Sequence, residues 1–309
     1  MNRFFILLLT VSLSLTLSAQ ETVDILSLSA RYGIPKEYKD AAYAGKATEW
    51  GSINSFQAGF NLAPQTMLVF NVNHFYFNVP GDPEPAFPAG IANPVKINGI
   101  ILRAGVRQYF SEGRRIQVMF VPRLMSDFKN MDGNSFQFGG LASYLKKYHD
   151  DLSIGFGAMY NAELFGPYVV PFLDLNWKFA EKWRVWGLFP ITLRVEYSVN
   201  DNMITGLNHF GLITSYALGD PYAGDYMERQ SIDLSLFLRQ RLAGNIFVEG
   251  MVGRALGRKY RQFEGGQEVG FAIPLVAFGD ERVVKNEFGA FDDGLILTLK
   301  LIYNMPMPE

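Results

Sequence analysis

From about Thr22 to the C-terminus, apolar and polar residues alternate with period two over stretch after stretch, the pattern of half-buried β-strands. In 96–110, Ile100, Leu102, Ala104 and Val106 fall on one face, and Gly99, Arg103, Gly105, Arg107 and Tyr109 on the other. In 152–161, Leu152, Ile154, Phe156, Ala158 and Tyr160 separate from Ser153, Gly155, Gly157, Met159 and Asn161. The stretches 192–199 and 232–241 sort the same way, with Leu193, Val195, Tyr197 and Val199 on one apolar set and Ile232, Leu234, Leu236 and Leu238 on the other. The opposite face is polar, charged or glycine each time. A soluble sandwich also alternates. Here the apolar sets run unbroken for four or five positions, about the height of a hydrocarbon band on a tilted strand. Glycines on the polar face suit a crowded lumen better than a solvated surface.

The connections add an asymmetry. Those at 61–66 (NLAPQT), 111–115, 180–182 and 243–245 are tight, whereas 80–94 is long and carries five prolines. Short turns on one rim and long loops on the other are what a barrel spanning an outer membrane requires. The expected fold is therefore all-β, a closed antiparallel transmembrane β-barrel of about fourteen strands. Twelve is the alternative if the pair around Pro190 is not a hairpin. With both termini periplasmic, 33–50 becomes the first outer loop, and 80–94 caps the mouth, binds a ligand or, the leading expectation, is a stiff surface loop. Strands are expected near 22–32, 230–242 and 246–258, while 260–290 has no assignment beyond a hairpin or a fold over the mouth. The last strand, 295–303, should pair with the first to leave no edge in lipid.

The N-terminus predicts a cleaved signal peptide over 1–19, with the barrel domain at 20–309. Arg3 is the positive region, Phe4 to Leu17 an apolar stretch too short to span, and Leu17-Ser18-Ala19 the small-residue cleavage site. There is no cysteine, so neither a lipid anchor nor a disulfide framework is available. Without Arg3 the chain has 27 basic residues (28 less one) against 30 acidic, which leaves no footprint for nucleic acid.

The segment VVPFLDLNWKFAEKWRVWGLFPITLRVEYSVND is marked by Pro171, Trp177, Trp183 and Pro190. It resembles a family of Gram-negative outer-membrane barrels of unknown function, over roughly 22–304. The last strand, with Leu295, Leu297, Leu299, Leu301 and Tyr303 on one face, resembles the assembly signal of such barrels, although Asn304 to Glu309 follow its final aromatic. The resemblance implies outer-membrane lipid and the barrel assembly machinery as partners. It transfers no catalytic residue.

Candidate chemistry is sparse. Of the three histidines, His149 lies in a turn, and His74 and His209 lie in strands without a serine two residues away, a poor basis for acyl transfer. Asp150-Asp151 and Asp292-Asp293 lack the alternating oxygen spacing of a calcium loop, so no metal site and no cofactor are expected. The stronger constellation is the ionisable set on the non-lipid face: Arg103, Arg107, Arg123, Asp174, Lys178, Arg194, Glu196, Asp233, Arg239, Glu249 and Lys300. A charge on the lipid side costs a few kcal/mol, so these should point inward. They would line a pathway for a small solute or fill a closed lumen with ion pairs, and the sequence leaves both open. Trp177, Trp183 and Tyr303 are expected in the aromatic girdle. The leading functional expectation is a passive channel or carrier; the second is a structural or surface-interaction barrel, the third a lipid-modifying enzyme.

Overall fold

A computed structural model describes residues 22–286 and 293–306; the expected signal peptide at 1–19 lies outside the described residues. The strands are β1 (Thr22–Glu37), β2 (Ala44–Ala63), β3 (Thr66–Val79), β4 (Gly81–Glu84), β5 (Val95–Tyr109), β6 (Arg114–Ser126), β7 (Phe136–His149) and β8 (Leu152–Glu163). They continue as β9 (Gly166–Ala180), β10 (Trp183–Phe189), β11 (Thr192–Asn200), β12 (Met203–Ala217), β13 (Asp225–Ala243), β14 (Ile246–Glu264), β15 (Phe271–Ile273), β16 (Val276–Phe278) and β17 (Gly294–Pro306). Fourteen of them form a closed antiparallel barrel, while β4, β15 and β16 are short strands in outer loops. Closure is made by β1 against β17, with Leu28 opposite Leu301, Ser29 opposite Lys300 and Arg31 opposite Thr298.

The period-two pattern becomes the two surfaces of the wall. Ile100, Val106, Phe156, Tyr160, Leu234, Leu236, Leu238, Leu297, Leu299 and Leu301 are all exposed, an apolar belt that no soluble protein leaves in water on this scale. Their strand neighbours Ile101, Met159, Asp233, Arg239 and Ile302 are buried inside. The belt and the closed ladder together define the class: an outer-membrane β-barrel, in which every backbone group must find its partner within the wall.

Several expectations need correction. The first outer loop is only 38–43, because β1 and β2 extend upward beyond the bilayer, where no lipid-facing set is required. Residues 225–229 and 259–264 are strand, not loop. The loop at 80–94 is not a free surface loop. It folds across the mouth to β14, where Ala92 N donates to Gln262 Oε1 (2.9 Å) and Gln262 Nε2 to Gly90 O (2.9 Å). Two outer connections, 164–165 and 190–191, are as short as the periplasmic turns.

The second of these breaks the wall's regularity. The β10–β11 hairpin reaches only to Leu173 on β9 and Phe210 on β12. Above it, 166–172 and 211–217 rise without it for about 23 Å at 3.3 Å per residue. The upper end of β12 crosses the mouth instead and bridges β6 at Ala217 and Ser126, although β7 to β11 intervene in the sheet. Side chains satisfy its open edge: Ser215 N donates to Glu163 Oε2 (2.8 Å), and Gln137 Nε2 donates to Ser215 O (3.1 Å). The turn at 164–165 is buried beneath this crossing, with Leu164 N donating to Ser215 Oγ at 2.8 Å. No room is left there for a long loop.

The segment 265–286 covers the outside of the crossing. Tyr226 and Glu228 take the outward positions on β13 that Leu234 and Leu236 hold lower down, and both are buried by it. Arg282 fastens it, donating to Glu228 Oε2 (2.8 Å) and the Tyr226 hydroxyl (3.2 Å). Val269 N bonds Phe165 O (2.8 Å), and Ala272 of β15 makes a parallel bridge to Tyr168 of β9. The unassigned region therefore lies over the breach in the wall and forms the hairpin β15–β16.

Candidate functional site

The lumen has three compartments. The periplasmic part is a cavity of about 450 Å³ lined by five basic residues (Arg31, Arg184, Arg194, Arg239, Lys300) and three acidic ones (Asp24, Glu196, Asp233). Period two on β1, β10, β11, β13 and β17 delivers these side chains inward, except Asp24, which reaches the lumen through the bulge between Asp24 and Leu26. Glu249 organises the lower layer. It accepts from Arg194 Nη2 (2.8 Å), Arg239 Nε (2.9 Å) and Lys300 Nζ (3.3 Å). Arg239 continues to Asp24 (2.8 and 3.1 Å), and Arg194 to Glu196 (3.2 Å). The Arg194 guanidinium also lies 3.9 Å from the centre of the Phe237 ring.

Above this sits a second ionic layer, buried in protein, whose Arg31 and Asp233 also line the vestibule. Arg31 joins Glu49 (2.7 Å) to Asp233 (2.5 Å), and Glu49 also faces Arg229 (3.5 Å), Arg258 (3.7 Å) and the Tyr260 hydroxyl (2.5 Å). Gly257, at φ +56°, makes the bulge that lets Ala255 and Arg258 both point inward although they are three positions apart. Apolar side chains close the mouth over this layer, among them Phe75, Phe77, Ile97, Val121, Met125, Tyr216 and Met227. The straight path to the outside is filled.

The third compartment is in the wall. A mostly apolar cavity of about 210 Å³ occupies the breach between β9 and β12. It is bounded inside by Ile101, Arg103, Arg123 and Met159, below by Pro190 and Ile191, and outside by Pro274 and Leu275 at the β15–β16 tip. Arg123 is paired with Glu163 and Thr214, and these partners leave its buried Nε without an acceptor. Arg103 donates to Asn71 (2.8 Å); among the described residues no carboxylate pairs with it. Phe210 lines the upper end of the vestibule, while its neighbours His209, Gly211 and Leu212 line the wall cavity, so its ring stands at their junction.

The structure brings Arg194, Glu196, Arg239, Glu249 and Lys300 together, and places Asp233 in the layer above them. Arg103 and Arg123 belong to the wall cavity, and Arg107 bonds Gln117 (2.8 Å). Asp174 pairs with Arg115 (3.1 Å), and Lys178 is exposed near the 181–182 turn. Trp177, Phe179, Trp183 and Tyr197 form a chain of rings on the outside near the periplasmic turns, with centroids 4.9–6.1 Å apart. Tyr303 is exposed on β17. His74 approaches Asn54 (3.3 Å) and His209 Nε2 the Pro190 carbonyl (2.8 Å). Arg31, Glu49, Arg229 and Arg258 escaped the sequence reading. For Arg31 the signal was present: Ser27, Ser29 and Arg31 alternate with Leu28, Ala30 and Tyr32.

A family model for a domain of unknown function, DUF6268, matches residues 114–267. No curated protein sequence matches. Among solved structures, the COG4313 outer membrane channel from Pseudomonas putida F1 is similar at 11% identity, covering 94% of this chain and 97% of that one, with a TM-score of 0.44. The TodX monoaromatic hydrocarbon channel, as its deltaS2 mutant, gives 11% identity, 94% and 91% coverage and a TM-score of 0.39. The NanC porin gives 9%, 89%, 98% and 0.34. At these scores none of them assigns a solute or an activity to this chain.

Proposed function

We propose that this protein is a passive outer-membrane conduit for small molecules, without catalytic function, whose pathway leaves the axis of the barrel. The observation that carries the reading is the polar vestibule in the periplasmic half of a lumen that is otherwise filled. Its charges are held by neighbours on several strands, so a solute meets fixed dipoles and ions rather than mobile side chains. Arg194, Glu196, Asp233, Arg239 and Lys300 act as the vestibule's lining, anchored by the buried Glu249; Arg103 and Arg123 line the wall cavity, and Arg107, Asp174 and Lys178 stand outside both. Trp177, Trp183 and Tyr303 hold the barrel at the lipid headgroups.

A second reading, a structural barrel that transports nothing, draws on the packed mouth and the enclosed ions around Glu49. Permeation separates the two. In planar bilayers and solute-loaded liposomes, Phe210→Ala should raise permeation above the wild type by opening the junction between the vestibule and the wall cavity. If neither protein passes ions or small solutes, the conduit reading fails and the structural one stands.

A further inference from the structure

The breach between β9 and β12 presents an unusual combination: a mostly apolar cavity, an outer side covered by Pro274 and Leu275 of the β15–β16 tip, and a cation that no carboxylate pairs with among the described residues. Most buried guanidiniums of the barrel meet a carboxylate; Arg31, Arg123, Arg194, Arg229 and Arg239 all do. Arg103, half-buried, instead has the neutral amide of Asn71, and its cavity neighbour Arg123 carries an unused donor. Removing a charge from water without an opposite charge is costly, so such a site favours an anion that brings one. The remaining walls are mostly apolar, with Tyr168, Val170, Ile191 and Leu212 among them, and Asn161, His209, Gln230 and Ser231 as their polar members.

We propose that this cavity binds a small amphipathic acid, with its carboxylate on Arg103 and its apolar body between β9 and β12. The carboxylate supplies the charge the site lacks and accepts from the planar guanidinium edge. The volume of about 210 Å³ holds one aromatic ring or a short acyl chain, not a lipid. Access is sideways. The β10–β11 hairpin stops below the cavity, and on its outer side only the β15–β16 tip stands between it and the hydrocarbon. That tip carries Leu275, 70% exposed, and Val276 and Phe278, also exposed. An apolar tip is at home in acyl chains. The wall is therefore built to exchange a ligand with the bilayer, while the mouth is closed by packing. This deepens the proposed conduit by naming its cargo, and rests on that reading only for onward passage through the vestibule.

The test is equilibrium binding to the refolded full chain in detergent, followed by calorimetry and ligand-observed magnetic resonance. The probes are 4-phenylbutyrate, 4-phenylbutanol, which lacks the charge, and acetate, which lacks the body. Phenylbutyrate should bind at one molecule per chain and acetate not measurably. Arg103→Gln should weaken phenylbutyrate about tenfold or more while leaving phenylbutanol unchanged, the signature of a lost charge-assisted bond. Leu212→Trp should abolish both by filling the cavity, and Arg241→Gln, remote from it, should change neither. Heat-modifiable gel migration establishes that each variant is a folded barrel, and phenylbutanol binding to Arg103→Gln shows that its cavity is intact. Equal phenylbutyrate affinity in Arg103→Gln, or binding that survives Leu212→Trp, overturns the proposal. Because the measurement involves no flux, binding without permeation sinks the conduit alone, and permeation without binding sinks the site alone.

Discussion

The two ionic layers of the lumen use the same chemistry to different ends. Each centres on one fully buried glutamate, Glu49 above and Glu249 below, and each gathers three cations around it. In the upper layer no participating side chain is more than 6% exposed. Both layers border the vestibule, the upper through Arg31 and Asp233, but in the lower one Asp24 is 27% and Lys300 23% exposed. A charge cut off from water depends entirely on its protein partners; a charge beside a wet cavity exchanges a lost partner for solvent. Filling a barrel and lining a cavity thus differ in hydration more than in residue type.

The sharpest way to break the comparison is to neutralise the two glutamates. Glu49→Gln leaves Arg31, Arg229 and Arg258 with Asp233 as their nearby anion. It should cost about 3–5 kcal/mol in urea unfolding followed by tryptophan fluorescence, the range for a broken buried pair. Glu249→Gln should cost less, about 1–3 kcal/mol, because water reaches its partners. It should also shift the reversal potential in a salt gradient toward anions. Equal losses for the two would mean that the vestibule is as dry as the upper layer. Trp183→Ala, in the outer ring chain between Phe179 and Tyr197, should cost about 0.5–1.5 kcal/mol in lipid, the scale of aromatic contacts, and leave conduction alone.

The smallest effect concerns the outer strap. Its hydrogen bonds to Arg282 hold the Asp280 carboxyl below the usual aspartate range. A group whose folded value is depressed stabilises above its unfolded value and loses that contribution as the pH falls through the folded one. The strap should therefore become more open to protease below about pH 4, the ordinary aspartate value, and Asp280→Asn should remove that dependence. A cleavage rate flat across this window in the unaltered protein would refute the assignment.

How much of this was legible depended on what each face of a strand touches. Where one face meets lipid and the other the lumen, as at Ile100–Arg103 or Leu234–Arg239, alternation locates the strand and sorts its side chains. It fails where that contrast disappears. Tyr226, Met227, Glu228 and Arg229 are all buried, because a covering segment replaces lipid on the outer face of β13. The upper parts of β1 and β2 stand above the bilayer and carry no apolar stripe, so 33–50 reads as a loop and Glu49 is lost with it. At Gly257 the bulge shifts the phase, which hides Arg258. The short β10–β11 hairpin was visible around Pro190, but its consequence, a breach lined by β9 and β12, depends on neighbours with no local signature.

The lower layer also records the order in which the barrel is completed. Arg239 and Glu249 sit on one hairpin and can meet as soon as it forms, ten residues apart in the chain. Asp24 arrives from the first strand, 215 residues from Arg239, and is held in turn by Asn304 of the last, 280 residues away. Lys300 joins from that same last strand. A chain that has made every hairpin but not the final seam therefore holds an arginine with half its counter-charges. The fixed charges around the vestibule exist as a set only in a finished cylinder, so they double as a latch on the last and slowest contact the chain has to find.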